Sequence, residues 1–113
     1  MQLFPSPKAS NKDALISTVG AALAMAITWL VCEALLDSVA PILALSMGAS
    51  AVILFTMPTA PAAQPLPLIL AHCVAAFLGV LSAQLIDNTA LAVGIAVGVH
   101  AGLMVRFGYM HPP

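Results

Sequence analysis

Four long apolar stretches constrain the fold of this chain more than any other feature of its sequence. They cover residues 14–36, 40–57, 67–86 and 89–107. Each holds 18 to 23 residues, and a helix that rises about 1.5 Å per residue needs about 20 residues to cross a bilayer core. A membrane β-barrel needs alternating apolar and polar residues, which these stretches lack. The sequence therefore predicts an all-α polytopic membrane protein with four transmembrane helices.

Composition excludes the water-soluble classes. Of the 113 residues, 62% are apolar and 6% are charged, whereas a soluble domain carries about 25% charged residues. The net charge of -1 excludes a basic surface for nucleic acid. Cys32 and Cys73 both lie inside apolar stretches, where cysteine behaves as a small hydrophobe, so no disulfide framework is indicated.

The first apolar stretch is expected to be a retained helix. Lys8 and Lys12 precede it, and Ala49-Ser50-Ala51 resembles a cleavage site. A signal peptide has a shorter apolar core, however, and this tripeptide lies inside the second stretch. We therefore expect residues 1–13 to form an amino-terminal tail and residues 14–113 to form the transmembrane domain.

The basic residues predict the orientation. With the amino terminus inside, Lys8, Lys12 and Arg106 all lie on the cytoplasmic side, which the positive-inside rule favours. Both termini are then cytoplasmic, and Asp37 and Asp87 lie in the outer turns. The amino terminus lacks the Arg-rich and Ser-rich composition of a transit peptide, which favours a bacterial inner membrane.

The connections between the stretches differ in kind. Asp37-Ser38-Val39 and Asp87-Asn88 are short, so the first two helices and the last two are expected to be antiparallel neighbours. The inner connection, residues 58–67, has four prolines and no charge. It is interpreted either as a Pro-rich turn or as a partly re-entrant segment.

Small residues recur at every fourth position along each helix. The clearest stripe is Gly94-x-x-x-Gly98-x-x-x-Gly102, because glycine is costly in a helix. Such stripes let membrane helices approach closely. We expect close packing of the fourth helix, with a dimer contact as the alternative.

Polar residues inside the stretches form two predicted layers. Ser50, His72 and His100 lie five to seven residues from the inner helix ends, so they are expected to share one layer. Glu33 and Gln84 lie near the outer ends. Intramembrane polar groups often mark a pathway. The alternatives are that each histidine bonds a neighbouring carbonyl and that Glu33 extends to water.

No pattern in the sequence indicates an enzyme, a metal site or a cofactor. His72, Cys73, His100 and His111 include ligand types, but none of the usual Cys or His ligand spacings is present. No nucleophile elbow, phosphate loop or dinucleotide fingerprint occurs.

Three segments in order carry a family resemblance. They are Gly48-Ala49-Ser50-Ala51-Val52-Ile53-Leu54-Phe55, then Pro61-Ala62-Ala63-Gln64-Pro65 leading to His72 and Gly79-Val80, and finally His111-Pro112-Pro113. Together they resemble the HPP family of integral membrane proteins over residues 14–113. The resemblance implies a small multi-helix transporter, since plant chloroplast and cyanobacterial members are associated with nitrite transport.

The sequence departs from the family pattern in two places. Family members usually continue beyond the His-Pro-Pro tripeptide with Ala-Gly and another apolar stretch, so we expect this chain to be a truncated or split form. Arg-Asn often follows the Gln-Pro pair, and Leu66-Pro67 stands there instead.

The resemblance and the polar residues together predict transport of a small inorganic anion, nitrite first, with coupling to protons. A helix amino terminus beside the Pro-rich segment, Arg106 and a protonated histidine would supply positive potential. Arg106 is also an ordinary positive-inside anchor. The candidate path is lined by Gly48, Ala49, Ser50, Gln64, Pro65, His72, His100, His111, Pro112 and Pro113.

Two other functions remain open. A chain of this length with four helices and Glu33 in the first resembles the small multidrug-resistance exporters of lipophilic cations, although aromatic residues are scarce. The third hypothesis is an assembly subunit or a fragment. The expected partners are the lipid bilayer and a small anion, with a second copy or a missing carboxy-terminal helix as further partners.

Overall fold

The described part of the chain is helical. The computed structural model describes residues 10–36 and 40–112, and at positions 40, 41 and 43–45 it describes the backbone only. The helices are α1 (Asn11–Leu36), α2 (Ala40–Thr56), α3 (Pro65–Leu85) and α4 (Thr89–Phe107), with a short 3-10 helix at Pro61–Ala63. These bounds lie within three residues of the predicted stretches, and the all-α class is confirmed.

Helix length and composition fit a membrane. α1, α3 and α4 have 26, 21 and 19 residues and are long and apolar enough to span a bilayer. α2 is apolar and has 17 residues, which is the lower limit for a spanning helix. Large apolar side chains such as Leu35 and Phe77 are exposed along these helices. The chain is therefore a polytopic membrane protein of four helices.

The start of α1 is fixed by a capping box. The Ser10 hydroxyl accepts from the Asp13 backbone N–H at 3.1 Å, and the Asp13 carboxylate accepts from the Ser10 backbone N–H at 3.3 Å. The same carboxylate accepts from the Ser10 hydroxyl at 2.7 Å. These bonds satisfy N–H groups that a helix start leaves unpaired. α1 thus begins at Asn11 and includes the last three residues of the segment 1–13 expected to be a tail.

The chain divides into two compact units, residues 1–56 and 57–113. α1 packs against α2 in the first unit, and α3 packs against α4 in the second. Both pairs were expected to be neighbours from the short outer turns. The first of these turns, 37–39, lies outside the described residues, as does Lys8.

Phe55 joins the carboxy-terminal end of α2 to α1. The Ser17 hydroxyl donates to the Phe55 carbonyl at 2.6 Å, which satisfies an acceptor that the end of α2 leaves open. Gly20 faces the Phe55 ring so closely that a Cβ there would lie 2.5 Å from two ring carbons. A glycine is therefore required at position 20 for α1 and α2 to approach.

In the second unit, local side chains and glycine fix the ends of α4. The Asn88 side-chain oxygen accepts from the Leu91 N–H at 3.0 Å and caps the start. Gly108 ends the helix with φ 75°, the left-handed conformation that glycine adopts without strain. Its N–H donates to the Met104 carbonyl at 2.8 Å.

The Pro-rich connection is a compact turn among the described residues. Backbone bonds link Ala60 to Met57 and Ala63 to Ala60, each at 2.9 Å. The Gln64 amide donates to the carbonyls of Pro58 and Ala60 at 3.5 and 3.3 Å. These bonds replace those that its prolines cannot make. The re-entrant alternative stays a prediction.

The glycine stripe of α4 makes no close contact among the described residues. A Cβ added at Gly94, Gly98 or Gly102 would meet nothing within 4 Å. The expected close packing of α4 through this stripe is therefore not seen in the part of the chain that the structure describes. The dimer alternative stays a prediction.

Candidate functional site

Three histidines and one tyrosine come together in the second unit. The rings of His72 and His111 have centroids 5.3 Å apart, and the rings of His100 and Tyr109 have centroids 6.1 Å apart. Both are contact distances for tilted rings. His72 lies on α3, His100 on α4, and Tyr109 and His111 follow α4. The sequence thus brings together residues that are nearly 40 positions apart, such as His72 and His111.

Tyr109 and His111 lie in the segment after α4, where they contact His100 and His72. Gly108 turns the chain in the left-handed conformation, after which Tyr109 is 9% exposed and His111 is fully buried. The His111 Nδ1 atom bonds the Ala62 carbonyl oxygen in the 3-10 helix. One imidazole thereby ties the carboxy-terminal segment to the Pro-rich turn.

His72 is oriented by its own helix. Its Nδ1 atom lies 2.9 Å from the Leu68 carbonyl oxygen, one turn earlier in α3. A carbonyl only accepts, so Nδ1 carries the proton in His72 and likewise in His111. The expectation that a neighbouring carbonyl bonds His72 is confirmed. In both histidines the Nδ1–H group therefore donates to a backbone carbonyl.

His100 differs from the other two histidines. It is 4% exposed, and neither of its ring nitrogens has a hydrogen-bond partner among the described residues. The expectation that a neighbouring carbonyl bonds this histidine is therefore wrong. Most buried polar groups in native proteins are hydrogen-bonded, and an exception calls for an explanation such as an absent ligand or a catalytic role.

His100 lines a cavity of about 680 Å³ in the second unit. Most of the lining is small and apolar, as at Ala75, Ala92 and Ala96, and the polar lining side chains are Asp87, Thr89 and His100. Asp87 is the one acidic side chain among the lining residues. It precedes the first turn of α4, whereas His100 lies in the second half of that helix.

The remaining predicted residues have varied positions. Gln64 is exposed and bonds the turn, Pro65 is the exposed first residue of α3, and Pro112 lines the cavity. Pro113 lies outside the described residues. Gln64 and Pro65 therefore lie at the start of α3, while Pro112 lines the same cavity as His100.

Gly48, Ala49 and Ser50 lie on α2 in the first unit, where Ser50 is 1% exposed. The Met25 side chain is 4.0 Å from where a Gly48 Cβ would be. The expected layer of Ser50, His72 and His100 involves both units and stays a prediction. The same holds for the shared height of Glu33 and Gln84, both of which are exposed.

The described residues include no group of three His, Cys, Asp or Glu side chains placed to hold a metal ion. Cys73 is exposed on α3. Arg106 is exposed in the last turn of α4, with its guanidinium 5.7 Å from the centroid of the Phe107 ring. Arg106 therefore lies at the helix end rather than in the histidine cluster.

Sequence reasoning missed Tyr109. It entered the sequence argument only as one of few aromatic residues, whereas the structure buries it against His100 with its hydroxyl unpartnered among the described residues. The available signal was its position between Gly108 and His111. A glycine directly after an apolar helix predicts a reversal of the chain, which brings the next residues back toward the bundle.

The family comparison agrees with the resemblance seen in the sequence. Residues 6–113 match the family model described as HPP, transmembrane region. No curated protein matches the chain. No solved structure matches it either. The match covers nearly the whole sequence and includes the Pro-rich turn and the buried histidine cluster, so the chain belongs to the HPP family of transmembrane proteins.

Proposed function

We propose that this chain transports a small inorganic anion, with nitrite as the first substrate to test. The observation that carries the proposal is His100, whose ring nitrogens are buried and unpartnered among the described residues at the wall of a cavity. A carrier must replace the hydration of its anion with donors, because an unpaired charge in an apolar interior is very costly. An imidazole supplies such a donor.

Histidine also suits a carrier that has few fixed charges. A neutral imidazole has one N–H donor and a protonated one has two donors and a positive charge. If His100 takes up a proton as the anion binds, the loaded site is electrically neutral. The proposal therefore includes proton coupling, with one proton moving in the same direction as each anion.

The proposal keeps all the candidate residues predicted from the sequence. In residues 1–56 they are Gly48, Ala49 and Ser50. In residues 57–113 they are Gln64, Pro65, His72, His100, His111, Pro112 and Pro113, of which Pro113 lies outside the described residues. Their support is the family motif and, for His72 and His111, the ring contact beside the turn. No catalytic role and no cofactor is proposed.

The orientation is part of the same proposal. Lys12 lies in the first turn of α1 and Arg106 in the last turn of α4, and both are exposed. Four crossings place these two ends on one side, which the positive-inside rule makes cytoplasmic in a bacterial inner membrane. Labelling a cysteine introduced at Lys12 with an impermeant reagent in intact cells tests this, and labelling from outside would contradict it.

Uptake into proteoliposomes tests the function. We expect nitrite uptake that increases when the outside is acidified, and at least a tenfold loss of uptake in His100→Leu. Val105→Ala is the matched control, since Val105 is exposed on the same helix and is not among the cavity-lining residues. Uptake equal to that of empty liposomes, with the protein inserted, would contradict transport by this chain.

A further inference from the structure

The Tyr109 hydroxyl is a second unpartnered polar group, and its ring is the neighbour of His100, which lines the cavity. It is buried and has no hydrogen-bond partner among the described residues, like the two ring nitrogens of His100. The two rings are neighbours, with centroids 6.1 Å apart and planes inclined by 59°. Three unpartnered polar atoms therefore lie in two adjacent side chains, each at least nine-tenths buried.

This concentration of unpartnered polar atoms is unusual, because the other two histidines of the second unit have hydrogen-bond partners. The Nδ1 atoms of His72 and His111 bond the carbonyls of Leu68 and Ala62. Buried polar groups without partners cost free energy, so folds generally pair them. The backbone carbonyls nearby are used by His72 and His111, and the described residues offer nothing to His100 and Tyr109. An external acceptor would be a partner for the Tyr109 hydroxyl and for the His100 nitrogen that carries a proton.

The chemistry of the two side chains defines that acceptor. A phenol hydroxyl donates one hydrogen bond, and an imidazole donates one or two. A ligand that accepts from both side chains needs lone pairs in two directions, and hydrogen bonds to a charged acceptor are the stronger ones. A small monovalent oxyanion has two or three oxygens that share one negative charge. A fixed basic side chain is not needed, since the phenol remains a neutral donor.

Resting on the proposed function, we propose that His100 and Tyr109 together form the binding site of the transported anion, which is a small monovalent oxyanion. Tyr109 supplies the second donor. We expect the pair to prefer an oxyanion to a halide, because two donors on separate rings can bond different oxygens, whereas both would have to converge on the single centre of a halide.

Thermal unfolding of the full chain in detergent tests this site without requiring transport. Sodium nitrite is compared with sodium chloride at equal ionic strength, and helix content is followed by circular dichroism. A ligand that binds only the folded state raises the unfolding midpoint in proportion to the logarithm of its concentration above the Kd. We expect a saturable rise with nitrite and a smaller one with chloride.

Tyr109→Phe removes one oxygen and keeps the ring. We expect its apparent Kd for nitrite to rise at least tenfold. Its unfolding midpoint without nitrite should be unchanged or higher, because removing the hydroxyl breaks no hydrogen bond to the described residues. Thr28→Val is the control. It also removes a hydroxyl, but one that donates to the Ala24 carbonyl at 2.8 Å, so its nitrite response should equal that of the wild type.

Two results would overturn the site. One is a Tyr109→Phe midpoint that falls without nitrite while the apparent Kd is unchanged, which would show that the hydroxyl is bonded to water or protein. The other is an equal response to nitrite and chloride. His100→Gln serves as the second variant, because its amide keeps a donor while losing the ring, and we expect it to weaken nitrite binding as well.

The uptake assay separates this proposal from the function on which it rests. Nitrite uptake with a Kd that is insensitive to Tyr109→Phe would overturn the site and leave transport standing. Tyr109-dependent nitrite binding without uptake would support the site and contradict transport.

Discussion

The two units have the same local plan, a pair of packed helices, but their polar side chains differ in burial and in hydrogen bonding. In the first unit the hydroxyls of Ser17, Thr18, Thr28 and Thr56 are exposed or half-buried, and each donates to a backbone carbonyl. In the second unit His100 and Tyr109 are buried and have no partners among the described residues. Of these two side chains, His100 lines a cavity.

The most buried polar side chain of each helix pair also differs in chemistry. Ser50 on α2 is 1% exposed and His100 on α4 is 4% exposed. Ser50 carries a small hydroxyl, whereas His100 carries a titratable ring whose nitrogens have no partner among the described residues. This difference makes the second unit the better candidate for binding.

The largest predicted effect on stability concerns the contact between the segment after α4 and the Pro-rich turn. His111→Ala removes a fully buried ring and leaves the Ala62 carbonyl without its donor. We expect a loss of about 3 kcal/mol in the free energy of unfolding. Hydrogen exchange of residues 60–64 and titration with a denaturing detergent would measure it.

His111→Asn is the matched variant, since its amide nitrogen occupies nearly the place of Nδ1 and keeps the bond to Ala62. It should recover about half of the loss. Equal losses in both variants would show that ring packing, and not the hydrogen bond, holds the segment.

An intermediate effect tests the close approach in the first unit. Gly20→Ala places a Cβ 2.5 Å from the Phe55 ring, and overpacking of this kind costs about 2 kcal/mol. The fluorescence of the one tryptophan, Trp29 on α1, reports unfolding of this unit. The double variant with Phe55→Leu should regain most of the lost stability.

Gly98→Ala is the control in the second unit, because nothing among the described residues lies within 4 Å of a Cβ there. We expect no loss, or a gain of about 0.5 kcal/mol from the better helix former. A loss as large as that of Gly20→Ala would show that a partner helix covers the α4 glycine stripe.

The smallest predicted effect compares the helix starts of the two units. Ser10→Ala removes the α1 capping box, and Asn88→Ala removes the α4 cap. Each should cost about 1 kcal/mol and speed hydrogen exchange of the first-turn amides only in its own helix. Exchange that increases in both helices after either change would contradict independent units.

Most of the fold could be predicted from the sequence because apolar length dominates in a membrane chain. The stretches alone placed each helix to within three residues, and the start of α1 differed because the bonds between Ser10 and Asp13 extend the helix by one turn. The spacing of small residues predicted close helix contacts less well. Gly20 packs closely against the Phe55 ring, whereas the glycine stripe of α4 makes no close contact among the described residues.

The site was less predictable than the helices. The sequence placed His72 and His100 inside apolar stretches that are candidate membrane spans, but position along a helix carries no information about hydrogen-bond partners. The bond from His111 to Ala62 spans 49 positions, and the contact between Tyr109 and His100 depends on the reversal at Gly108. Such contacts arise from the tertiary fold, which local patterns do not specify.

The central claim is that the unpartnered imidazole of His100 binds the transported anion. Measuring nitrite uptake by the wild type and by His100→Leu tests it most directly. Leucine keeps most of the volume and removes both nitrogens, so folding should survive while uptake falls at least tenfold. Val105→Ala should transport like the wild type. Undiminished uptake in His100→Leu, with equal amounts of inserted protein, would contradict the claim.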